Sequence, residues 1–579
     1  MPPRLDKSKT KNAFPALGAT PAVTAAVAPA VTPAVTPAWI RPLLLGLTVI
    51  LLLTWFTGEI ADSDIWLHLM TGKHTLETRA LTVPDPFSYT SSGNSAAYPG
   101  EAKTRYFNLT HEWLAQIIMY AIHSVCGFPG LVLARAVLLI AFCALVGLIV
   151  WWRTEGFYRS LGAAIAAGAV AINFQQSRPF LVTFLLLAVT MAILERRRGM
   201  WALVPVFVFG ANCHGGYFMG WIMLGAYCAE TLIQRLRKRP VPGEKRLWMV
   251  TAACFVASAL NPNGFRVIEI MLLYRSSPIQ SSNLEWQYPA FWLPPYGYGV
   301  VLIGSLLAML ISWRKTRPVD WILYFVFGAA SLLAVRNTIL MGLVGAVLLG
   351  CYLPVWKRGV ARVAEFGAAA LLALLIASAV KDGGAFQLRA AEWMLPTRAA
   401  DFLKAHNVTG RMFNTYENGG YLVWRLWPAE RDFIDPRGLS EEAYADYSRI
   451  LYYAGSEGGK SADELLNKYG ITVLVLDGFD RFTGRVHTLA AALADPSQKE
   501  WKLMQADERS ILFMRQPPAG VPPLNSLEAL TSIENQCRQQ IEHDARQPAC
   551  ARGIGELYTL IGQTARASQW MSYYESRSH

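Results

Sequence analysis

The sequence predicts an α-helical polytopic membrane protein that carries a C-terminal α/β domain outside the membrane, and three observations predict it. Only 16% of the 579 residues are charged while 53% are hydrophobic, where a soluble chain carries about a quarter charged residues. The apolar residues are gathered into long runs, the arrangement a bilayer demands. Lys and Arg fall in bursts between alternate runs, as "ERRRG", "RLRKRPVPGEKR", "WRKTRP" and "VWKRGVAR", which is how loops are held on the cytoplasmic side. The net charge of +12 therefore reads as a topology signal. It forms no basic patch of the kind that binds nucleic acid, and no nucleic-acid partner is expected.

The elements follow in order. Residues 1–38 start basic and become rich in Ala, Pro, Val and Thr; such a composition cannot build a core, so a disordered cytoplasmic tail is expected. No cleavable signal peptide is evident, because the first apolar run begins near residue 40 and is long enough to span. Residues 39–384 read as a transmembrane domain of about eleven helices, near 40–58, 129–152, 160–175, 179–195, 201–213, 216–234, 247–261, 297–313, 319–335, 338–354 and 361–380, a span needing about 20 apolar residues. With the N-terminus inside, every basic burst falls on the inner side. The outer turns "QQSRP", "NCHGG", "NPNGFR" and "VRNT" hold at most one Arg each. That leaves outside the loop 59–128, a loop around 265–296 and everything after the last run. Within the first loop, "HEWLAQIIMYAIHSVCG" (111–127) is apolar but carries His and Glu, so it is expected to lie along the interface.

Residues 385–516 read as an extracytoplasmic α/β domain. "PTRAADFLKAHN" is helical in pattern, and "GRMFNTY", "RDFIDP", "ITVLVLD", "EWKLMQA" and "RSILFMR" read as short strands, with helices at 440–454, 461–469 and 484–494 between them. "RQPPAGVPPLNS" is a linker, and 525–579 reads as a helical hairpin. Six of the eight cysteines lie in or beside apolar runs, where a thiol packs as a small core residue. Cys537 and Cys550 fall in the polar tail, outside and in different halves of the hairpin, and a disulfide is expected between them.

The residues that could carry chemistry begin at the mouth of the first run, where "GEIADSDIWLHLM" sets Glu59, Asp62 and Asp64 close together. One aspartate can cap the helix that follows. Three acids at a water–lipid boundary repel one another unless they share a proton, a cation or a positively charged part of a substrate. Residues alone leave both readings open. His111 before Glu112 can cap an interfacial helix. His214 before two glycines reads as a packed turn histidine. Arg336 can snorkel to lipid phosphates, and Glu285 beside Trp286 can belong to an aromatic-belt loop. "GGYLVW" reads as a tight turn entering a strand, and Asp435-Pro436-Arg437 as a turn with a local ion pair. No Walker A, G-x-G-x-x-G or H-E-x-x-H pattern occurs, which removes support for soluble-nucleotide and metalloprotease readings.

One spanning run, then Asp62-x-Asp64 on the first outer loop, then an interfacial helix, resembles the GT-C class of integral-membrane glycosyltransferases. More closely, "DSDIWLHLMTGKHTLETRALTVPDPFSYT…HEWLAQIIMYAI" is similar to a large set of bacterial multi-spanning proteins. These share Asp64-x-x-x-His68-x-x-x-Gly72, the Pro-x-x-Asp-Pro-Phe-Ser-Tyr turn and the Glu112-Trp-Leu helix. They also share "NCHGGYFMG", "NPNGFR", "NLEWQ", "AVRNTILM" and, in the outer domain, "ENGGYLVWRLWPAERDFIDPRG". The resemblance covers about 40–515. It implies a GT-C-like fold in a bacterial inner membrane and a polyprenyl-phosphate-linked sugar as donor. It also implies Asp62 or Asp64 as the base, with substrate contacts from Glu59, His68, His111, Glu112, Arg178, His214, Glu285 and Arg336. The leaving phosphate needs positive charge, from Arg178 or Arg336 or from a divalent metal (Mg or Mn) held by Asp62 and Asp64. Two readings of other classes stand beside it. A transporter of lipid-linked glycans would need charges deep in spans, for which Arg135 is the main candidate. A non-catalytic envelope assembly protein would use the outer domain for protein partners that the sequence does not identify.

Overall fold

The computed structural model describes residues 37–92, 96–275, 277–293, 295–354, 361–544 and 548–578. The expected disordered tail lies outside them except for its last two residues. The membrane part begins with Ile40–Phe56 (α1) and continues through Asp64–Thr78 (α2), Glu101–Thr110 (α3), Trp113–Thr154 (α4), Phe157–Ala171 (α5), Phe180–Arg196 (α6), Leu203–Cys213 (α7), Phe218–Leu236 (α8) and Glu244–Ala257 (α9). Val267–Tyr274 (α10) and Pro278–Ser282 (α11) lie in the connection that follows. Gly297–Ile311 (α12), Pro318–Leu333 (α13), Ile339–Tyr352 (α14) and Ala361–Lys381 (α15) follow.

Each of the eleven apolar runs folds as a helix. By length and apolarity, three stretches can cross a membrane, 101–154, 335–352 and 363–381, and five shorter apolar helices accompany them. These helices make the chain a membrane protein. The expected interfacial segment is the first part of α4, set off by a non-helical Gly127 (φ 61°, ψ −156°) just ahead of Pro129, the pairing that bends helices.

At the basic end of the helices the charges are buried against one another. Arg317 Nη2 lies 2.6 Å from Glu195 Oε1 and 2.9 Å from Asp320 Oδ1, and Arg153 Nη2 lies 2.7 Å from Asp320 Oδ2. Tyr227 donates to Glu195 at 2.6 Å and Tyr352 to Asp320. Paired charges of this kind clamp α4, α6, α8, α13 and α14 together at that end.

The C-terminal part contains Thr397–Ala405 (α16), Gly419–Leu426 (α17), Glu441–Leu451 (α18), Ala462–Lys468 (α19) and Thr488–Leu493 (α20) around one sheet. Its strands are Arg411–Asn414 (β1), Ile471–Leu476 (β2), Lys502–Ala506 (β3) and Ile511–Met514 (β4), in the order β1-β2-β4-β3. β1 and β2 are parallel; the other pairings are antiparallel, with Val475 opposite both Asn414 and Leu512. β2 buries both faces, Leu474 and Leu476 on one side and Val473 and Val475 on the other, as period-2 side chains require.

Four of the five expected strands are present. "RDFIDP" is not one: it forms a single bridge from Asp432 to Ser88 of loop 1. "GGYLVW" is α17 rather than the entry to a strand, because its glycines press against other backbone. A Cβ on Gly419 would lie 2.3 Å from the Ile434 carbonyl, and one on Gly420 2.8 Å from Leu67. The tail forms three helices, Glu528–His543 (α21), Ala549–Leu560 (α22) and Thr564–Glu575 (α23), where the sequence reads as a two-helix hairpin. Their apolar faces join the core around this sheet through Ile533, Cys537, Ile554 and Trp570, and Cys537 and Cys550 are joined in a disulfide.

Loop 1 is docked to this domain. Arg437 donates 2.8 Å to Asp85 Oδ1 and 2.9 Å to Asp435 Oδ1, so the Pro-Asp-Pro turn and the Asp-Pro-Arg turn share one buried guanidinium. Trp66 and Leu69 of α2 pack into the same cluster as Tyr421 and Leu422 of α17.

Candidate functional site

The geometry starts from Arg135, which is buried in α4 and donates to the carbonyls of Phe56 (3.2 Å), Gly58 and Gln175. Those are the orphan carbonyls at the end of α1 and the turn ahead of α6. A charge open to a transport reading thus fixes where loop 1 and the 175–178 turn begin.

Arg178, in that turn, donates to both oxygens of Asp62, 2.7 Å from Nε and 2.6 Å from Nη2. Its Nη1 lies 2.8 Å from Glu285 Oε1 and 3.0 Å from Asp64 Oδ2. One cation therefore serves three carboxylates. Arg336, ahead of α14, lies 4.7 Å over the Trp286 ring with Nη1 4.0 Å from Glu285 Oε2. Burial disfavours the charge on Asp62, but Arg178 outweighs it and holds this carboxyl below its ordinary range. Asp64 goes the other way: burial raises it well above that range, helped by Asp62, Glu285 and Glu417 against the pull of Arg178. The shared guanidinium and burial thus push the two carboxyls in opposite directions, Asp62 down and Asp64 up.

A second group adjoins the first. Glu112 is surrounded by His111 (Nε2 to Oε1, 3.3 Å), His68 (Nδ1 to Oε2, 3.7 Å) and His214 (Nε2 to Oε1, 3.9 Å). Burial opposes its charge, but the three histidines hold it far below the usual carboxylate range. His111 stacks on Phe107 at 4.4 Å, with Nδ1 2.8 Å from the Phe107 carbonyl. Gly215 lets the turn that carries His214 come up to this stack, since a Cβ there would lie 2.9 Å from Phe107. His214 is packed as a turn histidine and also belongs to the cluster. Its Nδ1 accepts from Gly216 N at 3.0 Å, and burial pushes the ring down to about 3. Gln116 Nε2 lies 3.3 Å from His68 Nδ1, and His68 Nε2 and Gln116 Oε1 are buried without partners among the described residues.

Glu59 lies elsewhere. Its carboxylate accepts from Trp393 Nε1 at 3.0 Å and lies 3.2 Å from His543 and 3.4 Å from Arg389, so it ties loop 1 to the segment after α15 and to the tail. The residue that sequence reasoning missed is Glu417. It follows β1, and its Oε2 accepts from Ser63 Oγ at 3.0 Å, between the two aspartates. Nothing local in "TYENGG" marks it.

His111, Glu112 and His214 each bring one ligand atom within 4.8 Å of the others. Mg and Mn favour oxygen donors, and this group offers one carboxylate. Because His214 Nδ1 accepts a backbone N–H, its hydrogen sits on Nε2, the atom facing Glu112; a ligating nitrogen has to be bare. At Asp62 and Asp64 the guanidinium of Arg178 already occupies the carboxylates. Neither donor set fits Mg or Mn, and no step is assigned to a metal.

A groove of about 640 Å³, lined by Trp113, Leu114, Val208, Phe209, Asn212 and Leu260 among others, begins beside this polar cluster. Trp113 is the neighbour of Glu112 and donates to Asn212 Oδ1 at 2.9 Å.

No family model and no curated protein matches the chain. Two solved structures of the oligosaccharyltransferase of Archaeoglobus fulgidus are similar to it. The form tethered to an acceptor peptide containing the NVT sequon gives a TM-score of 0.49 at 13% identity, over 76% of this chain and 69% of that one. The apo form gives 0.47 at 13%, over 84% and 75%.

Proposed function

We propose that this protein is a membrane glycosyltransferase of GT-C type, moving a sugar from a polyprenyl-phosphate carrier to an acceptor outside the membrane. One observation carries the reading: a polar cluster of carboxylates, arginines and histidines stands beside an apolar groove, with Glu112 of the cluster next in the chain to Trp113 of the groove. A substrate fitting both has a polar head and a long apolar tail. The prenyl chain lies in the groove beside Trp113 and Leu260. The sugar hydroxyls meet Glu112, His68, His111 and His214, groups able to donate and accept around a ring.

The leaving phosphate needs a cation with donors to spare. Arg178 has given its donors to Asp62, Asp64 and Glu285. Arg336, which among the described residues pairs with Glu285 alone and is stacked on Trp286, keeps an edge for a bidentate phosphate contact. Transfer needs a carboxylate to accept the acceptor's proton. On the loop-1 side Asp62 gives both oxygens to Arg178, whereas Asp64 meets it through Oδ2 alone, which leaves Asp64. With the N-terminus cytoplasmic, eleven spans put loop 1, this site and the ectodomain on the extracytoplasmic face of a bacterial inner membrane.

The test is mass spectrometry of lipid extracts from parent, deletion and Arg336→Gln strains. A polyprenyl-phosphate sugar that accumulates in the deletion and in the variant alike is the expected result. Extracts indistinguishable among the three strains would remove the reading.

A further inference from the structure

We propose that Glu417, carried by the ectodomain, is the catalytic base of the transfer. The assignment rests on the glycosyltransferase reading and replaces the loop-1 aspartate as proton acceptor. The acceptor's hydroxyl oxygen forms the bond to the anomeric carbon as the bond from that carbon to the phosphate oxygen breaks. The electron pair leaves with the polyprenyl phosphate, and the hydroxyl proton passes to the Glu417 carboxylate.

Three observations support it. The first is availability. Asp62, Asp64 and Glu285 all share Arg178 at 3.0 Å or less, whereas no Lys, Arg or His among the described residues pairs with Glu417. Its Oε2 accepts the Ser63 hydroxyl, and Oε1 has no protein partner among the described residues. A carboxylate must have an uncommitted lone pair to receive a proton.

The second is placement. Ser63 lies between Asp62 and Asp64, so Glu417 stands at the loop-1 cluster while belonging to the domain that faces the aqueous side. It follows the carboxyl end of β1, which runs parallel to β2, the edge where α/β sheets present ligand-binding groups.

The third is rigidity. Tyr416 N donates to the Tyr447 hydroxyl at 3.0 Å, and Asn418 Nδ2 donates to Asp477 Oδ1 at 2.7 Å and Thr415 Oγ1 at 3.0 Å. Gly420 lets α17 approach loop 1, since a Cβ would lie 3.3 Å from the Ser63 carbonyl. Glu417 is thus held on both sides, the preorganisation a catalytic group requires.

The groups facing it are Asp64 and Arg178 from the membrane part, Asp477 and Asp480 after β2, and Tyr416 and Tyr447 beside it. Burial first, then Asp480 and Asp477, push its carboxyl up to about 7 against the Ser63 hydrogen bond and Arg178, near where a base works best at neutral pH.

The experiment uses the full chain in nanodiscs with radiolabelled undecaprenyl-phosphate hexoses as donor and parent envelope extract as acceptor. Glu417→Gln keeps the shape and the Ser63 contact. It is expected to lower the transfer rate by about 100-fold or more and to abolish the rise of rate through neutral pH. Donor affinity, read by tryptophan fluorescence, stays as in the parent. Glu417→Asp recovers part of the rate. A Glu417→Gln enzyme that transfers at the parent's rate, or keeps the parent's pH profile, overturns the assignment. Lost transfer in Asp64→Asn beside intact transfer in Glu417→Gln returns the role to loop 1. A parent chain that transfers no hexose removes the glycosyltransferase reading itself, and the base with it.

Discussion

Replacing Arg178 by Gln tests the central cluster most sharply, because one guanidinium balances three carboxylates. Its bonds to Asp62, at 2.6 and 2.7 Å, reach a carboxylate whose side chain is only 4% exposed. A buried charge left without its partner costs about 3–5 kcal/mol. Asp64 and Glu285, with 19% and 27% of their side chains exposed, can be rehydrated and add little. The single substitution is therefore expected to cost about 3–5 kcal/mol. Asp62→Asn keeps one acceptor for Arg178 and leaves that arginine two other carboxylates, so about 1.5–3 kcal/mol is expected, the worth of one hydrogen bond to a charged group. In the double variant no charge is stranded, and a coupling of about 2 kcal/mol should appear. Reversible unfolding in mixed detergent micelles, followed by tryptophan fluorescence, reads all three. A double variant whose loss equals the sum of the single losses would refute the shared-cation arrangement.

Other expectations follow from the same geometry. Arg437→Met strands Asp85 and Asp435, whose side chains are at most 2% exposed, and should cost about 3–5 kcal/mol; protease nicking of loop 1 in the variant but not the parent checks it. Reducing Cys537–Cys550, which are 13 residues apart, removes a loop constraint worth about 3 kcal/mol and should lower the Tm of the C-terminal part in thiol-containing buffer. Glu417 holds its proton longer in the folded chain than in the unfolded one. Its contribution to stability is complete below the unfolded value of 4.5 and is lost as pH rises to about 7. Glu417→Gln should therefore flatten the stability curve over that window, while Glu430, also pushed up by burial to about 7, keeps the same slope in both chains. Parallel curves would contradict this. Adding Mn or Mg salts, or a chelator, should leave Tm unchanged, given donor sets already taken by Arg178 and Gly216.

Much of the membrane part was legible because apolar runs have one outcome in a chain that must satisfy its own backbone. The strands of the C-terminal sheet were legible where burial on both sides of β2 makes continuous apolar runs. "RDFIDP" misled because Phe433 and Ile434 are buried between turns fixed by Arg437. "GGYLVW" misled because its glycines serve close approach to loop 1, a reason visible only once α2 and α17 are side by side. Proximity in sequence drew Glu59 into the acidic cluster, yet its partners are Trp393, Arg389 and His543. Glu417 lies 354 residues from Ser63, and no local pattern reports a contact of that span. Arg178, Glu285 and Arg336 were nameable because topology assigned their loops to one side. That one guanidinium would take up Asp62, Asp64 and Glu285 together depends on side-chain geometry, which periodicity does not carry.

The most direct measurement is the fate of the lipid-linked sugar in cells whose chromosomal copy carries Asp62→Asn and Arg178→Gln together, a pair in which no buried charge is orphaned. Lipid extracts in which a polyprenyl-phosphate sugar builds up to the level of the deletion strain, with the protein present in the membrane at parental abundance, are expected. Parental lipid profiles in that strain would contradict the claim that this cluster handles such a substrate.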